Sequence, residues 1–180
     1  MAAFLLVKTA LSLVWAVFCV IPDWRSRRLP NVCTLGGIAV ATACAFGAGR
    51  DAGLASLVTG FFASAFLLVL FFIRAAGAGD VKMIFAAGVF AGPGMTLPLV
   101  FAVSTAGLVL AVGMLLVRKV NPSRLRHYCR CVFDPRYDRV AGRAAIPPRD
   151  SEACRVPFAA AIAAGLLVVE AFQLLEAFAA

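Results

Sequence analysis

Apolar residues in this chain come in long blocks rather than in the stripe of an amphipathic helix or the alternation of a half-buried strand. Residues 2–22, 32–48, 53–73 and 156–180 are each nearly continuous in Ala, Val, Leu, Ile and Phe. A helix crossing the ~30 Å hydrocarbon core of a bilayer takes about 20 such residues, so each block predicts one membrane span. Residues 81–117 are apolar over too great a length for one crossing, and Gly92-Pro93-Gly94 inside them is a strong turn signal. That run therefore predicts two spans. The expected fold is all-α, a polytopic integral membrane protein of about six transmembrane helices.

Composition agrees. Hydrophobic residues make up 63% of the 180 residues and charged ones 14%, against about 25% charged in a soluble domain; the mean hydropathy is +0.96. Such a chain cannot cover itself with a wetted surface, which excludes a soluble globule, a disordered protein and a secreted disulfide scaffold. Residues 1–180 are expected to form a single intramembrane domain, with 118–155 as a basic loop between spans five and six.

The basic residues predict the orientation. Of the seventeen, all but Lys8 and Arg50 fall on one side of a six-span arrangement: Arg25, Arg27 and Arg28 after the first span, Arg74 and Lys82 around the third loop, and ten between Arg118 and Arg155. The positive-inside rule puts those loops in the cytoplasm and both termini on the outer, periplasmic side. Glu170 and Glu176 then fall near the outer interface. Charge follows the first apolar block rather than preceding it, unlike a secretory leader, so the first span reads as a retained helix. The net charge of +8 is spread over loops facing anionic lipid headgroups, which are the expected partner; no nucleic-acid module is recognisable.

Six cysteines give no disulfide framework. Cys19, Cys33 and Cys44 sit in or near apolar blocks, where cysteine behaves as a small hydrophobe. Cys129, Cys131 and Cys154 lie on the reducing cytoplasmic side. With His127 they have the donor types of a zinc site, but the His-x-Cys-x-Cys step is tighter than the usual ligand spacing. No metal and no cofactor is expected.

Two of the nine acidic residues stand apart. Asp23 closes the first span after Pro22, and Asp80 opens the fourth after Gly77-Ala78-Gly79. Both lie on the cytoplasmic side at similar depth. An ionisable residue bordering a span is costly and is by default a functional candidate. Paired carboxylates that share a proton activate water for peptide hydrolysis in aspartic proteases. The competing structural role is an N-cap or interfacial anchor. Asp80 suits it; Asp23, at a helix C-terminus where negative charge is disfavoured, does not.

The residues around both acids resemble the two motifs of type IV prepilin peptidases. Asp23-Trp24-Arg25-Ser26-Arg27-Arg28-Leu29-Pro30-Asn31 is similar to the first. Gly77-Ala78-Gly79-Asp80-Val81-Lys82 is similar to the second, the Gly-x-Gly-Asp signature, and Val156-Pro157-Phe158 resembles the start of the last span. The resemblance implies an intramembrane aspartyl endopeptidase of the bacterial inner membrane that cuts the short basic leader from prepilins or pseudopilins at the cytoplasmic face, usually after a glycine. The substrate's apolar stem stays in the bilayer.

Asp23 and Asp80 are then the catalytic pair. Arg25 and Lys82 are expected to hold a carboxylate ionised or bind backbone carbonyls. Gly77 and Gly79 permit close approach, Pro30 starts the second span, and Asn31 hydrogen-bonds the loop. Longer members carry a cytoplasmic insert with paired Cys-x-x-Cys motifs and also methylate the new N-terminus. No such pair occurs here, and only eight residues separate Pro22 from Asn31. A peptidase without methyltransferase activity follows, most like the small enzymes of Tad/Flp pilus systems. The leading non-enzymatic alternative is a small transporter or pilus-assembly scaffold using Asp23 and Asp80 as a proton or cation site.

Overall fold

A computed structural model describes residues 2–26, 29–72, 76–117 and 157–179, with the isolated positions 127, 130, 134 and 138. The described residues form the helices α1 (Ala2–Ser26), α2 (Asn31–Gly47), α3 (Arg50–Phe72), α4 (Ala78–Ala91), α5 (Thr96–Leu116) and α6 (Phe158–Ala179), with no strand among them. The all-helical expectation holds, and the long apolar run does break at Gly92-Pro93-Gly94. Gly92 and Gly94 turn the chain with φ of 90° and 76°, a conformation that L side chains resist.

α1, α3, α5 and α6 are long and apolar enough to cross a membrane. α2 is apolar but has 17 residues. α4 has 14, about 21 Å of helix. The chief boundary difference is α1, which continues through Pro22 to Ser26 rather than stopping at residue 22. Proline removes one ladder hydrogen bond, a loss that packed membrane helices tolerate. Here the Ser26 hydroxyl donates to the Pro22 carbonyl at 2.8 Å.

The chain divides into two compact units, residues 1–108 with 157–180, and residues 109–156. In the second, His127 is buried and the Asp134 amide donates to the Arg130 carbonyl at 2.9 Å. Cys129, Cys131, Cys154 and most of the basic loop lie outside the described residues.

Within the first unit α4 is the central helix. It packs against α1, α2, α3 and α6, and from Met83 to Ala91 only Phe85 is more than marginally accessible. Its apolar residues run around the whole circumference, as a fully enclosed helix requires. Between helices in lipid the hydrophobic drive is weak, and close packing of small residues takes its place. At the α3–α4 crossing a Cβ on Gly88 would sit 2.7 Å from the Gly60 Cα, so the two backbones nearly touch. Large apolar side chains turn outward instead, among them Phe61, Phe62, Phe66, Phe101 and Phe172, as a lipid-facing surface demands.

One polar cluster is buried in this bundle. Glu170 is 1% exposed and lies on the α6 face turned into the bundle. The Ser12 hydroxyl donates to Glu170 Oε2 and also lies 2.9 Å from the Thr9 carbonyl. Lys8 donates to Gln173 Oε1 at 3.0 Å, and Gln173 donates to the Ala91 carbonyl at 2.7 Å. The cluster thereby ties α1 and α6 to the C-terminal end of α4. Glu170 Oε1 has no hydrogen-bond partner among the described residues.

Two stability outcomes follow. Gly88→Leu should destabilise the detergent-solubilised protein by about 1–3 kcal/mol, the usual cost of overpacking, seen as a lower thermal unfolding midpoint. Glu170→Gln keeps a side chain that can donate to or accept from Ser12. It should therefore cost less than Glu170→Ala, which empties the position and leaves Ser12 one partner fewer.

Candidate active site

The two motif acids occupy helix ends of opposite sense: Asp23 is in the last turn of α1 and Asp80 in the first turn of α4. Asp23 is buried, 5% exposed, and its Oδ2 accepts the Ala159 amide hydrogen at 3.0 Å. That amide belongs to the first turn of α6, whose opening N–H groups have no partner within their own helix. Pro157, just before α6, offers neither an N–H nor a polar side chain to cap it. Asp23 supplies the cap from another helix. The negative charge that α1's own C-terminus disfavours meets the positive end of the α6 dipole instead.

Asp80 is half-buried, and its Oδ2 accepts the Gly77 amide hydrogen at 3.2 Å. Gly77 is the N-cap of α4, with φ −87° and ψ 150°. The carboxylate thus closes the first turn of its own helix, the role its position predicts.

Two contacts join the first motif to the second. A Cβ on Gly79 would fall 2.8 Å from the Leu29 Cβ, so Leu29 lies directly on the glycine of Gly-x-Gly-Asp. Lys82 Nζ donates to Asn31 Oδ1 at 2.8 Å. The C-terminal end of α1, the start of α2 and the start of α4 therefore meet at one end of the bundle, and both acids belong to that end.

Lys82 holds the Asn31 side chain, and through it Asn31 ties the two motifs together, while its carbonyl accepts from the Thr34 hydroxyl at 3.2 Å. Pro30 is the N-cap of α2, one position earlier than expected. Its carbonyl accepts from the Cys33 and Thr34 amides at 3.1 and 3.3 Å. Arg25 is exposed in the last turn of α1, where a cation suits the helix dipole.

Reading the chain did not single out Trp15, and it placed Ala159 only within the stretch that resembles the start of the last span. Trp15 Nε1 donates to the Cys33 carbonyl at 2.9 Å and its ring packs at a tilt of 37° against Phe90, centroids 5.4 Å apart, joining α1 to α2 and α4. Ala159 acts through its backbone, which no side-chain motif can announce. Among the described residues no group of His, Cys, Asp and Glu is placed to hold a metal.

This geometry stands beside a family match over residues 10–112, which covers both motifs and more than half of the chain, to the type IV leader peptidase family. The chain belongs to the type IV leader peptidase family. It is accordingly a peptidase, and its long apolar helices make it a multi-pass membrane protein of the prepilin-processing kind. No curated protein and no solved structure matches it. The leader peptidase match takes in most of α1, all of α2 to α4 and most of α5; α6, whose first turn holds Asp23, lies beyond it.

Capping across helices can be measured. Asp23→Ala should destabilise the protein by about 0.5–2 kcal/mol, as loss of an N-cap does. Asp23→Asn keeps an oxygen for the Ala159 amide and should stay folded. A double-mutant cycle with Asn31→Ala and Lys82→Met should return a coupling of about 1 kcal/mol, the net worth of a typical hydrogen bond; additive effects would show that the contact does not couple the motifs.

Proposed function

We propose that this leader peptidase is an intramembrane aspartyl endopeptidase in which Asp23 and Asp80 are the catalytic pair. It removes the short basic leader from prepilins or pseudopilins of the Tad/Flp type at the cytoplasmic face of the bacterial inner membrane, and it does not methylate the product. The chain crosses the bilayer six times in this reading, with the loops after α1 and α3 in the cytoplasm. The observation that supports it most directly is the meeting of the two aspartate motifs at one end of the bundle, tied by Asn31–Lys82 and Leu29–Gly79.

The chemistry needs one ionised and one protonated carboxylate. The ionised partner takes a proton from water as the water oxygen adds to the scissile carbonyl carbon. The protonated partner donates a hydrogen bond to the carbonyl oxygen, which carries the developing charge. When the tetrahedral intermediate collapses the C–N bond breaks, and the leaving amine takes a proton from the pair. Asp23, held by the α6 N-terminus, starts from a favourable position for the ionised role, because helix dipoles stabilise anions there. The Arg-rich loop 118–155 has the same charge sign as the substrate leader, so its partner in this reading is anionic lipid.

Reconstituted with a prepilin, wild-type protein should release the leader, and Asp23→Asn or Asp80→Asn should each lower the rate by at least about a thousandfold, since members of a catalytic unit lose function singly. Processing at near wild-type rate by the double amide variant would overturn the assignment. Chelators should leave cleavage unchanged.

A further inference from the structure

The lipid-facing side of α1 and α6 carries a groove of about 300 Å³ lined by Leu13, Ala16, Val17, Val20, Ile21, Ala160, Ala163, Ala164 and Leu167. We propose that this groove seats the apolar stem of the precursor, the segment just after the scissile bond. The inference rests on the peptidase reading with Asp23 in the reaction, and it adds where the membrane-embedded part of the substrate lies.

Three observations point to that occupant. One end of the groove, at Val20 and Ile21, lies within a helical turn of Asp23 along α1. Ala16, Val20 and Asp23 follow at i, i+4 and i+7, one face of α1, and Ala160 is the residue after the one whose amide binds Asp23. From Leu13 to Ile21 the groove runs about 12 Å along α1, at 1.5 Å per residue, directed from Asp23 towards the far end of the bundle. A carbonyl attacked beside Asp23 must lie within hydrogen-bond reach of it, and the apolar chain that follows the cut has to continue in lipid from that point.

The lining is also of matching chemistry. No residue in it is polar, so it excludes the basic leader and accepts a hydrocarbon surface. Finally, the α6 wall is mostly alanine, with Ala160, Ala163 and Ala164 in contact with the groove. Small residues at this spacing let a second helix approach closely. Val17 and Ile21 on the α1 rim, each nearly half exposed at 49% and 47%, then clasp the incoming stem.

The test uses full-length protein in phospholipid vesicles with a synthetic precursor, a basic leader ending in glycine followed by an apolar transmembrane stem. A photo-crosslinking residue at position 164 should form an adduct with the stem, while the same residue at Phe61, on the outer face of α3, should not. Ala164→Phe, which fills the groove, should raise KM for the precursor about tenfold with little change in kcat, the pattern of lost uniform binding. Phe61→Ala should leave both parameters unchanged.

Adducts at 164 confined to phospholipid, or an unmoved KM in Ala164→Phe with normal cleavage, would overturn the groove assignment while leaving the peptidase reading intact. Failure of the wild-type protein to cut the precursor at all would overturn that reading and with it this inference. Should Ala164→Phe fail to fold, the adduct in the otherwise intact protein decides the question.

Discussion

The hydrogen bond between the Asp23 carboxylate and the Ala159 amide governs how this end of the molecule is built. A buried carboxylate among apolar helices is expensive unless something satisfies it, and a helix beginning inside an apolar bundle leaves amides unsatisfied. Each of these liabilities resolves the other. The contact joins the C-terminal turn of α1 to the first turn of α6 across a sequence separation of 136 residues. The position of Asp23 is thereby set by two rigid helices rather than by the loop that follows it.

The second aspartate is held differently. Asp80 closes on Gly77 within its own first turn, so its placement depends on where α4 begins, and that is fixed by the packing of Leu29 on Gly79 and by the Lys82–Asn31 bond. The glycines of the second motif thus serve backbone proximity more than flexibility. A side chain at position 79 would push the first motif away from the fourth helix. One acid is positioned by a neighbour's helix end and the other by its own, which places two carboxyl groups at one end of the bundle, each with a separate hydrogen-bond partner.

At the other end of α1 and α6 a polar cluster of Lys8, Ser12, Glu170 and Gln173 repeats the logic without the motif residues. Its hydrogen bonds reach the last carbonyl of α4, Ala91, which lacks an intrahelical donor. The central helix is only 14 residues long, too short to present both ends to water. Its own Asp80 and Lys82 serve its N-terminal end, and Gln173 from the longer α6 serves its C-terminal end.

The helices, the Gly-Pro-Gly turn, the membrane setting and the two aspartate motifs were all legible along the chain, because hydropathy, backbone restriction and short motifs act over a few residues. The boundary near Pro22 was off by about a turn, since a packed bundle tolerates a proline that an isolated helix would not, and Pro30 stands one position before the helix it was expected to open. The burial of Glu170 was not legible, because one acid in an apolar block looks the same whether it faces lipid, water or a serine 158 residues away. The partners of Asp23, Lys82 and Asn31 are likewise decided by which helix ends meet. That depends on packing between distant segments, through backbone amides and small residues whose identities carry almost no pattern of their own.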